Sequence, residues 1–238
     1  MLSVIIPCFN EEKLVKKSIL EILKAIKFSK IYKYEIIFID DDSKDKSHII
    51  AEKLSKKNKN IKIVKNKKNF GLGYNFFKGT SISKGKYLIL IPADNSHPAS
   101  EISKILKQIG KKQDVVTTYY TNKAKRNIFR RAFTKAYTPF LNFIFGTDFI
   151  YFNGITLYKT RDLKKLKIKN NNFSFQIDIF VYFFYMSKLK FKIIPTLVYD
   201  RKKGTNAFKL KNSFLVVISI LKIFTKSLFY RYLNLFNK

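Results

Sequence analysis

Apolar residues along this chain fall into short unbroken runs separated by stretches of helical spacing. Residues 2–6, 34–39, 61–64, 87–91 and 114–118 are the apolar runs, and their lengths and branched side chains predict strands. Between the first two, Val15, Ile19, Ile22, Leu23 and Ile26 recur at the three-and-four spacing of one helix face. Asn10 stands where a cap for that helix would sit, with Glu11 and Glu12 in the first turn to complement its dipole. Ser43 caps a second predicted helix that runs to about Lys57. The turn Phe70-Gly71-Leu72-Gly73 opens a third, ending near Gly85. Ile102, Ile105, Leu106 and Ile109 mark a fourth, which stops at Gly110. Strict strand–helix alternation predicts a mainly parallel sheet with helices on both faces.

The second half is less regular. A helix over 126–145 is followed by a strand at 154–159, a helix at 173–187 and a strand at 191–198. The tail changes character again. Residues 214–221 are almost wholly apolar, yet Lys211 and Lys222 bracket them, and a membrane span needs roughly 20 apolar residues. Ser219, Lys222 and Lys226 fall on one helical stripe, opposite Leu221, Phe224 and Leu228. Such a basic amphipathic helix suits a membrane interface; the alternative is a helix packed on the domain. The chain therefore divides into a domain at 1–210 and an interfacial helical tail at 211–238.

Charge changes the picture less than its size suggests. The formal net charge is +32, from 48 basic and 16 acidic residues, which calls for an anionic partner. Only six of the basic residues are Arg, and the lysines come with abundant Asn, Ile, Phe and Tyr, the mixture an A+T-rich genome imposes. Nucleic-acid readers rely on Arg for bidentate base contacts, and the chain has no basic zinc module or RNP-type motif, so nucleic acid is not the expected partner. An anionic membrane surface requires no dedicated motif. The single cysteine, Cys8, excludes an intrachain disulfide and a cysteine-based zinc cluster. The first residues form a strand-like run with no charged region ahead of it, so no signal peptide is expected and the expected location is cytoplasmic.

Candidate chemistry gathers at strand ends. Asp41 closes the second strand, where a carboxylate could accept from a nucleobase N–H or ribose hydroxyls; it could equally cap the following helix. Asp94, in Pro92-Ala93-Asp94-Asn95, follows the fourth strand. Carboxylates beyond two strand ends can converge on a metal-bound diphosphate, although Asp94 alone would pass for a turn residue. On the 126–145 helix, Arg131, Thr134, Thr138 and Asn142 share a face suited to a phosphate, or simply to solvent. The two histidines, His48 and His97, occupy ordinary helix and loop positions.

Taken together, these segments resemble the family 2 glycosyltransferases of the GT-A fold, and within them the polyprenyl-phosphate sugar synthases of the dolichol-phosphate mannose synthase type. Pro7-Cys8-Phe9-Asn10-Glu11 is similar to the family's Pro-x-Tyr-Asn-Glu turn, and Ile39-Asp40-Asp41-Asp42-Ser43 to its Val-Asp-Asp-x-Ser turn. Asn69-Phe70-Gly71-Leu72-Gly73 matches Asn-x-Gly-x-Gly. Pro92-Ala93-Asp94 keeps the last acid of the Asp-x-Asp metal motif and replaces the first by Pro. Phe175-Gln176-Ile177-Asp178 resembles Phe-Gln-x-Glu. The segment from Ile194-Pro195 through Asp200-Arg201 to Gly204 resembles Val-Pro-Ile-x-Phe-x-Asp-Arg-x-x-Gly, but the Ser-Lys that follows in the family is absent. The likeness runs from residue 2 to about 209.

The resemblance implies an α/β domain of the GT-A type, Rossmann-like, with a mainly parallel sheet flanked by helices. It implies a nucleotide-sugar donor, GDP- or UDP-linked, held by Pro7, Phe9, Asn10, Glu11, Asp41, Asp94 and Arg201, with Mg²⁺ or Mn²⁺ on Asp94. Arg130, Arg131 and Thr134 would face the acceptor phosphate, and Asp94, Arg131 and Arg201 would carry catalysis. The implied reaction is inverting transfer of a sugar to a polyprenyl phosphate at the cytoplasmic face of a membrane. A phosphate nucleophile is already anionic and needs no base, whereas a hydroxyl acceptor would need one, for which Asp178 is the second-half candidate. Two alternatives stand beside this reading. One is a hydroxyl-acceptor transferase of polysaccharide or glycolipid synthesis. The other is a non-catalytic or nucleic-acid-binding protein on a decayed scaffold.

Overall fold

The computed structural model describes residues 1–121, 128–166, 168, 170–187, 189–199 and 210–236, and the side chains of 128–134, 210–214 and 235–236 fall outside the description. Seven strands form one sheet: β1 (Leu2–Cys8), β2 (Tyr34–Asp40), β3 (Ile61–Lys65), β4 (Tyr87–Leu90), β5 (Val115–Tyr120), β6 (Leu157–Lys159) and β7 (Phe191–Thr196). Their order is β3-β2-β1-β4-β6-β5-β7. All neighbours run parallel except β6, which is antiparallel to both β4 and β5. The helices are α1 (Val15–Phe28), α2 (Ser47–Lys57), α3 (Leu72–Ile82), α4 (Ala99–Leu106), α5 (Ile128–Phe145), α6 (Thr160–Lys164), α7 (Phe175–Tyr182) and α8 (Leu210–Phe236). After α7 the chain continues as a wider turn over Phe183–Ser187.

The apolar run of β1 is continuous because both of its faces are covered. Leu2, Val4 and Ile6 point to one side, against Val15, Ile19 and Ile22 of α1 and Ile102 and Ile105 of α4. Ile5 points to the other side with Ile37 and Ile39 of β2, where Phe76, Leu141, Phe145, Phe180 and Ile223 close the second layer. Each fully buried branched side chain contributes roughly 1.5–3 kcal/mol. The result is the three-layer α/β arrangement that the alternation predicted. β6 falls within the strand expected at 154–159, but its antiparallel direction and the short α6 were not part of that expectation.

β1 is flanked by β2 on one side and β4 on the other, so the connections from β1 and β3 lead in opposite directions. A crevice opens at such a switch point, outside the carboxyl ends of the strands. Pro7 belongs to β1 without breaking it. Its carbonyl faces β4 and accepts from Ala93 N–H at 3.1 Å, so its missing N–H falls where β4 has already ended at Leu90.

Two helix starts differ from expectation. α1 begins at Val15 rather than after Asn10: Leu14 and Val15 both donate to the Glu11 carbonyl, and Asn10 itself is left-handed at φ +56°. α2 begins at Ser47, not after Ser43. In both places the expected cap residue bonds to the neighbouring strand-end turn instead. The tail is also more integrated than a separate appendage: α8 packs its Ile220 and Ile223 into the same layer as α5 and α7.

Candidate active site

The turns that follow β1 and β2 are laced together. Asn10 N–H donates to Ser43 Oγ at 3.0 Å, and Lys44 N–H returns a bond to Asn10 Oδ1 at 2.7 Å. Glu11 N–H reaches Ser47 Oγ at 2.8 Å, Glu12 N–H reaches Asp45 Oδ2 at 3.0 Å, and Lys46 N–H reaches Glu12 Oε2 at 3.2 Å. Burial alone would raise the Asp45 carboxyl, but hydrogen bonds from Ser47 and from the Glu12 N–H outweigh it and hold the pKa below its ordinary value. Asp40, fully buried, accepts Ser43 N–H at 2.9 Å, and its other oxygen lies 3.1 Å from His48 Nδ1. The two turns thus form one rigid rim at the crevice. Cys8 beneath it is pushed up to about 12 by burial, so it stays a neutral thiol and packs as a small apolar residue.

Asp41 is 2% exposed and accepts three hydrogen bonds. Asn66 Nδ2 (2.7 Å) and Phe70 N–H (2.9 Å) donate to one oxygen, and Gly71 N–H (2.9 Å) donates to the other. Its carboxylate therefore holds the Phe70–Gly71 turn against the end of β2. Asn66 extends the network, donating to Asn75 Oδ1 and accepting from Lys78 Nζ, both at 2.7 Å. The more open carboxylate at this strand end is Asp42, left-handed at φ +65° and paired with Lys44 at 2.8 Å. Phe9 is half-buried on the same rim and Asn10 is exposed.

The glycine turn opening α3 is covered by residues 170–172. Gly73 N–H donates to the Asn171 carbonyl at 3.2 Å, and a Cβ on Gly73 would run into the Asn170 carbonyl oxygen. Sequence reasoning missed both Asn66 and this strap. The run Asn170-Asn171-Asn172 reads as a plain polar loop, and nothing local shows that its carbonyls press on α3.

Asp94 is brought beside the first turn because the chain keeps bonding to β1 after β4 ends: Ile91 N–H donates to the Ile5 carbonyl at 2.9 Å, and Ala93 N–H to that of Pro7. Asp94 Oδ1 accepts Ser96 N–H at 3.0 Å and Ser96 Oγ at 2.6 Å. Pro92, in the place of the family's first acid, offers no carboxylate, and its carbonyl accepts from Ser18 Oγ at 3.2 Å. Among the described residues no group of three His, Cys, Asp or Glu side chains could hold a metal. A single carboxylate at such a site can still suffice for Mg²⁺ where substrate phosphates and water complete its shell.

β7 leads to the same place. Leu197 N–H donates to Glu101 Oε2 at 2.9 Å and Tyr199 N–H to the Ser96 carbonyl at 2.8 Å. Tyr120, Tyr151 and Val198 cluster beside His97. The chain therefore enters the Asp200-Arg201 segment from beside the Asp94 loop. Arg201 itself lies outside the described residues. Arg130, Arg131 and Thr134 lie on α5, which follows β5, but their side chains are likewise outside the description. Farther along α5, Lys135, Thr138, Pro139 and Asn142 line an open cleft of about 620 Å³ with Asp148, Phe149 and Ile150. Asn142 serves its floor: it donates to the Phe149 carbonyl at 2.8 Å and accepts Phe149 N–H at 3.1 Å and Thr147 Oγ1 at 2.9 Å.

Asp178 is 1% exposed on α7 and accepts Lys226 Nζ of α8 at 2.9 Å. It fastens the last helix to the domain. Gln176, two residues earlier, donates to the Gly154 carbonyl at 2.8 Å and to Thr156 Oγ1 at 2.9 Å, fixing the turn before β6.

Residues 3–194 match the family model described as glycosyl transferase family 2. The chain belongs to that family. It is 28% identical over 163 residues to a dolichol-phosphate mannosyltransferase of Pyrococcus furiosus, covering 68% of this chain and 43% of that protein. It is 29% identical over 130 residues to an undecaprenyl-phosphate 4-deoxy-4-formamido-L-arabinose transferase of Pseudomonas fluorescens, covering 54% and 38%. The chain spans about two fifths of the length of these two relatives. In structure it is similar to glucosyl-3-phosphoglycerate synthase of Mycobacterium tuberculosis in complex with Mn²⁺, UDP-glucose and phosphoglyceric acid. That likeness has a TM-score of 0.70 at 14% identity over 94% of this chain and 80% of that one, and it concerns the fold.

Proposed function

We propose that this family 2 chain is an inverting glycosyltransferase that moves a sugar from a nucleotide-diphosphate donor to a polyprenyl phosphate at the cytoplasmic face of a membrane. The observation that carries the reading is the convergence at one switch point of the 7–12 turn, the 40–47 turn and the Asp94 loop, with the chain toward Arg201 leaving from the same loop. The laced rim offers a fixed edge for the base and ribose of a GDP- or UDP-linked sugar. Asp94 is the carboxylate we assign to Mg²⁺ or Mn²⁺, which would offset the charge that builds on the departing diphosphate. Arg201 is the residue we assign to the same charge, and Arg130, Arg131 and Thr134 to the acceptor phosphate.

An anionic phosphate attacks without a general base, and the placement of Asp178 supports that choice. The residue nominated as a base is buried and engaged by Lys226, so it does not stand open to a hydroxyl acceptor. The relatives named for polyprenyl-phosphate acceptors point to the same acceptor class.

The test is incubation with a panel of labelled UDP- and GDP-sugars, polyprenyl phosphate and Mg²⁺ or Mn²⁺. Transfer to the lipid, through an acid-labile sugar-phosphate linkage and lost in Asp94→Asn, is the expected result. No transfer to lipid from any donor sinks the proposal, and label in an acid-stable linkage points to a hydroxyl acceptor.

A further inference from the structure

α8 carries large apolar residues on its outer face as well as on the inner face that packs on the domain. Ser219 and Ser227 are buried beneath it beside Ile220 and Ile223. Ser219 Oγ accepts Asn172 Nδ2 at 2.8 Å, Lys226 holds Asp178, and Arg231 donates to the Ile144 carbonyl at the end of α5 at 2.7 Å. The outward face carries Val217, Leu221, Leu228 and Tyr232, spaced by four, seven and four residues on one helical stripe, with Phe229 beside it; Leu221 and Phe229 are 61% and 59% exposed. On α5, whose last turn Arg231 caps, Phe140 and Phe143 are also exposed, the latter 87%. Large apolar side chains gathered on exposed faces of adjoining helices mark a surface that something covers.

We propose that this outward face of α8, with Phe140 and Phe143 of α5, is the surface that seats the protein on an anionic lipid bilayer. The charge decides between a bilayer and a second copy of the chain. Each copy carries +32, so two copies repel, whereas an anionic leaflet attracts. Lys222, exposed next to Leu221, can lay its stem on the apolar stripe and extend its ammonium to lipid phosphates. Tyr232 is of the kind that favours the boundary between water and hydrocarbon. Among the described residues no helix is long and apolar enough to cross a membrane, and α8 at 27 residues would lie about 40 Å along the surface.

The attachments make this a rigid mount. Asn172 bonds α8 while its neighbour Asn171 accepts from Gly73, at the turn held by Asp41. The membrane face is thereby fixed relative to the donor crevice. This inference rests on the proposed lipid acceptor for its purpose, but its test does not use transfer.

The test is flotation of the whole chain with vesicles of phosphatidylcholine alone and of phosphatidylcholine mixed with phosphatidylglycerol. Wild type is expected to float with the anionic vesicles, more weakly as salt rises. The Leu221→Glu/Phe229→Glu double variant, altered only at exposed positions, should keep the wild-type melting temperature and lose on the order of tenfold in partition. Equal partition of the double variant overturns the proposal. So does a lipid-free dimer, seen by light scattering, that the double variant splits. Transfer to a short, water-soluble polyprenyl phosphate should persist in the variant, so loss of vesicle binding with transfer intact separates this proposal from the catalytic one.

Discussion

Replacing Asp41 by Asn separates a carboxylate that holds a turn from one that touches the nucleotide. The wild-type side chain accepts from Asn66 Nδ2, Phe70 N–H and Gly71 N–H, all within 2.9 Å, at 2% exposure. An asparagine has one acceptor oxygen. With that oxygen toward Asn66 and Phe70, its amide faces Gly71 N–H, donor against donor; flipped, it abandons the other two. At least one charge-assisted bond is lost, about 1.5–3 kcal/mol, and a buried N–H is left unpaired at about 1–3 kcal/mol. Relief from burying a charge offsets part of this, leaving about 2–4 kcal/mol. For a chain of this length each kcal/mol shifts the melting temperature by about 2–4 °C, so a fall of roughly 5–15 °C is expected. Asp42→Asn, which breaks an exposed pair with Lys44, should cost about 0–1 kcal/mol and is the control. Thermal melts monitored by circular dichroism, alongside calorimetric titration with nucleotide-sugar, read both quantities. If Asp41→Asn melts within about 2 °C of wild type while donor affinity falls, the turn-holding account is wrong.

Three further outcomes follow from the same geometry. Burial raises the Glu35 pKa, but hydrogen bonds from Lys62, Lys84 N–H and Ser3 outweigh it and lower the value from 4.5. Its stabilisation is therefore complete above pH 4.5 and lost as pH falls through the lower folded value, and Glu35→Gln should flatten the acid limb of a stability-versus-pH curve; an unchanged limb counts against the assignment. Gly73→Ala gains about 1 kcal/mol of helix propensity but drives a methyl into the Asn170 carbonyl, an overpacking cost of about 1–3 kcal/mol, so net destabilisation is expected. Gly73→Ala melting higher than wild type would show that the strap yields. Lys226→Ala leaves the Asp178 carboxylate buried without its cation, at a cost of about 2 kcal/mol given that Lys226 is half-exposed. Faster proteolysis within α8 is the readout, and wild-type cleavage rates would refute the clamp.

The strands and the family were legible because their signals are local. A run such as Val4-Ile5-Ile6 declares a strand covered on both faces, and the acid-bearing turns after β1, β2 and β4 follow directly in the sequence. What escaped depends on partners far along the chain. Asn10 and Ser43 look like caps in isolation; they bond each other's turns because β1 and β2 pair in register and bring residues 33 apart together. Asp178 looks like a free acid of an active-site motif until Lys226, 48 residues later, is seen against it. The tail shows the limit most plainly. The two faces expected from periodicity do not hold: Ser219 is buried while Lys222 is exposed, and Phe224 packs inward while Leu221 and Leu228 face out. α8 is therefore apolar on two sides, and hydrophobicity alone does not say which is buried. Three polar bonds decide the orientation, from Asn172, to Asp178 and to the Ile144 carbonyl. Once these anchor Ser219, Lys226 and Arg231 against the domain, the stripe from Val217 to Tyr232 must face outward. Val216, Ile220, Ile223 and Phe224 supply the buried apolar contact, so the helix stays docked while Val217, Leu221 and Leu228 remain exposed. The polar contacts and that buried apolar row together set the direction of the exposed stripe, which is the face we assign to the bilayer.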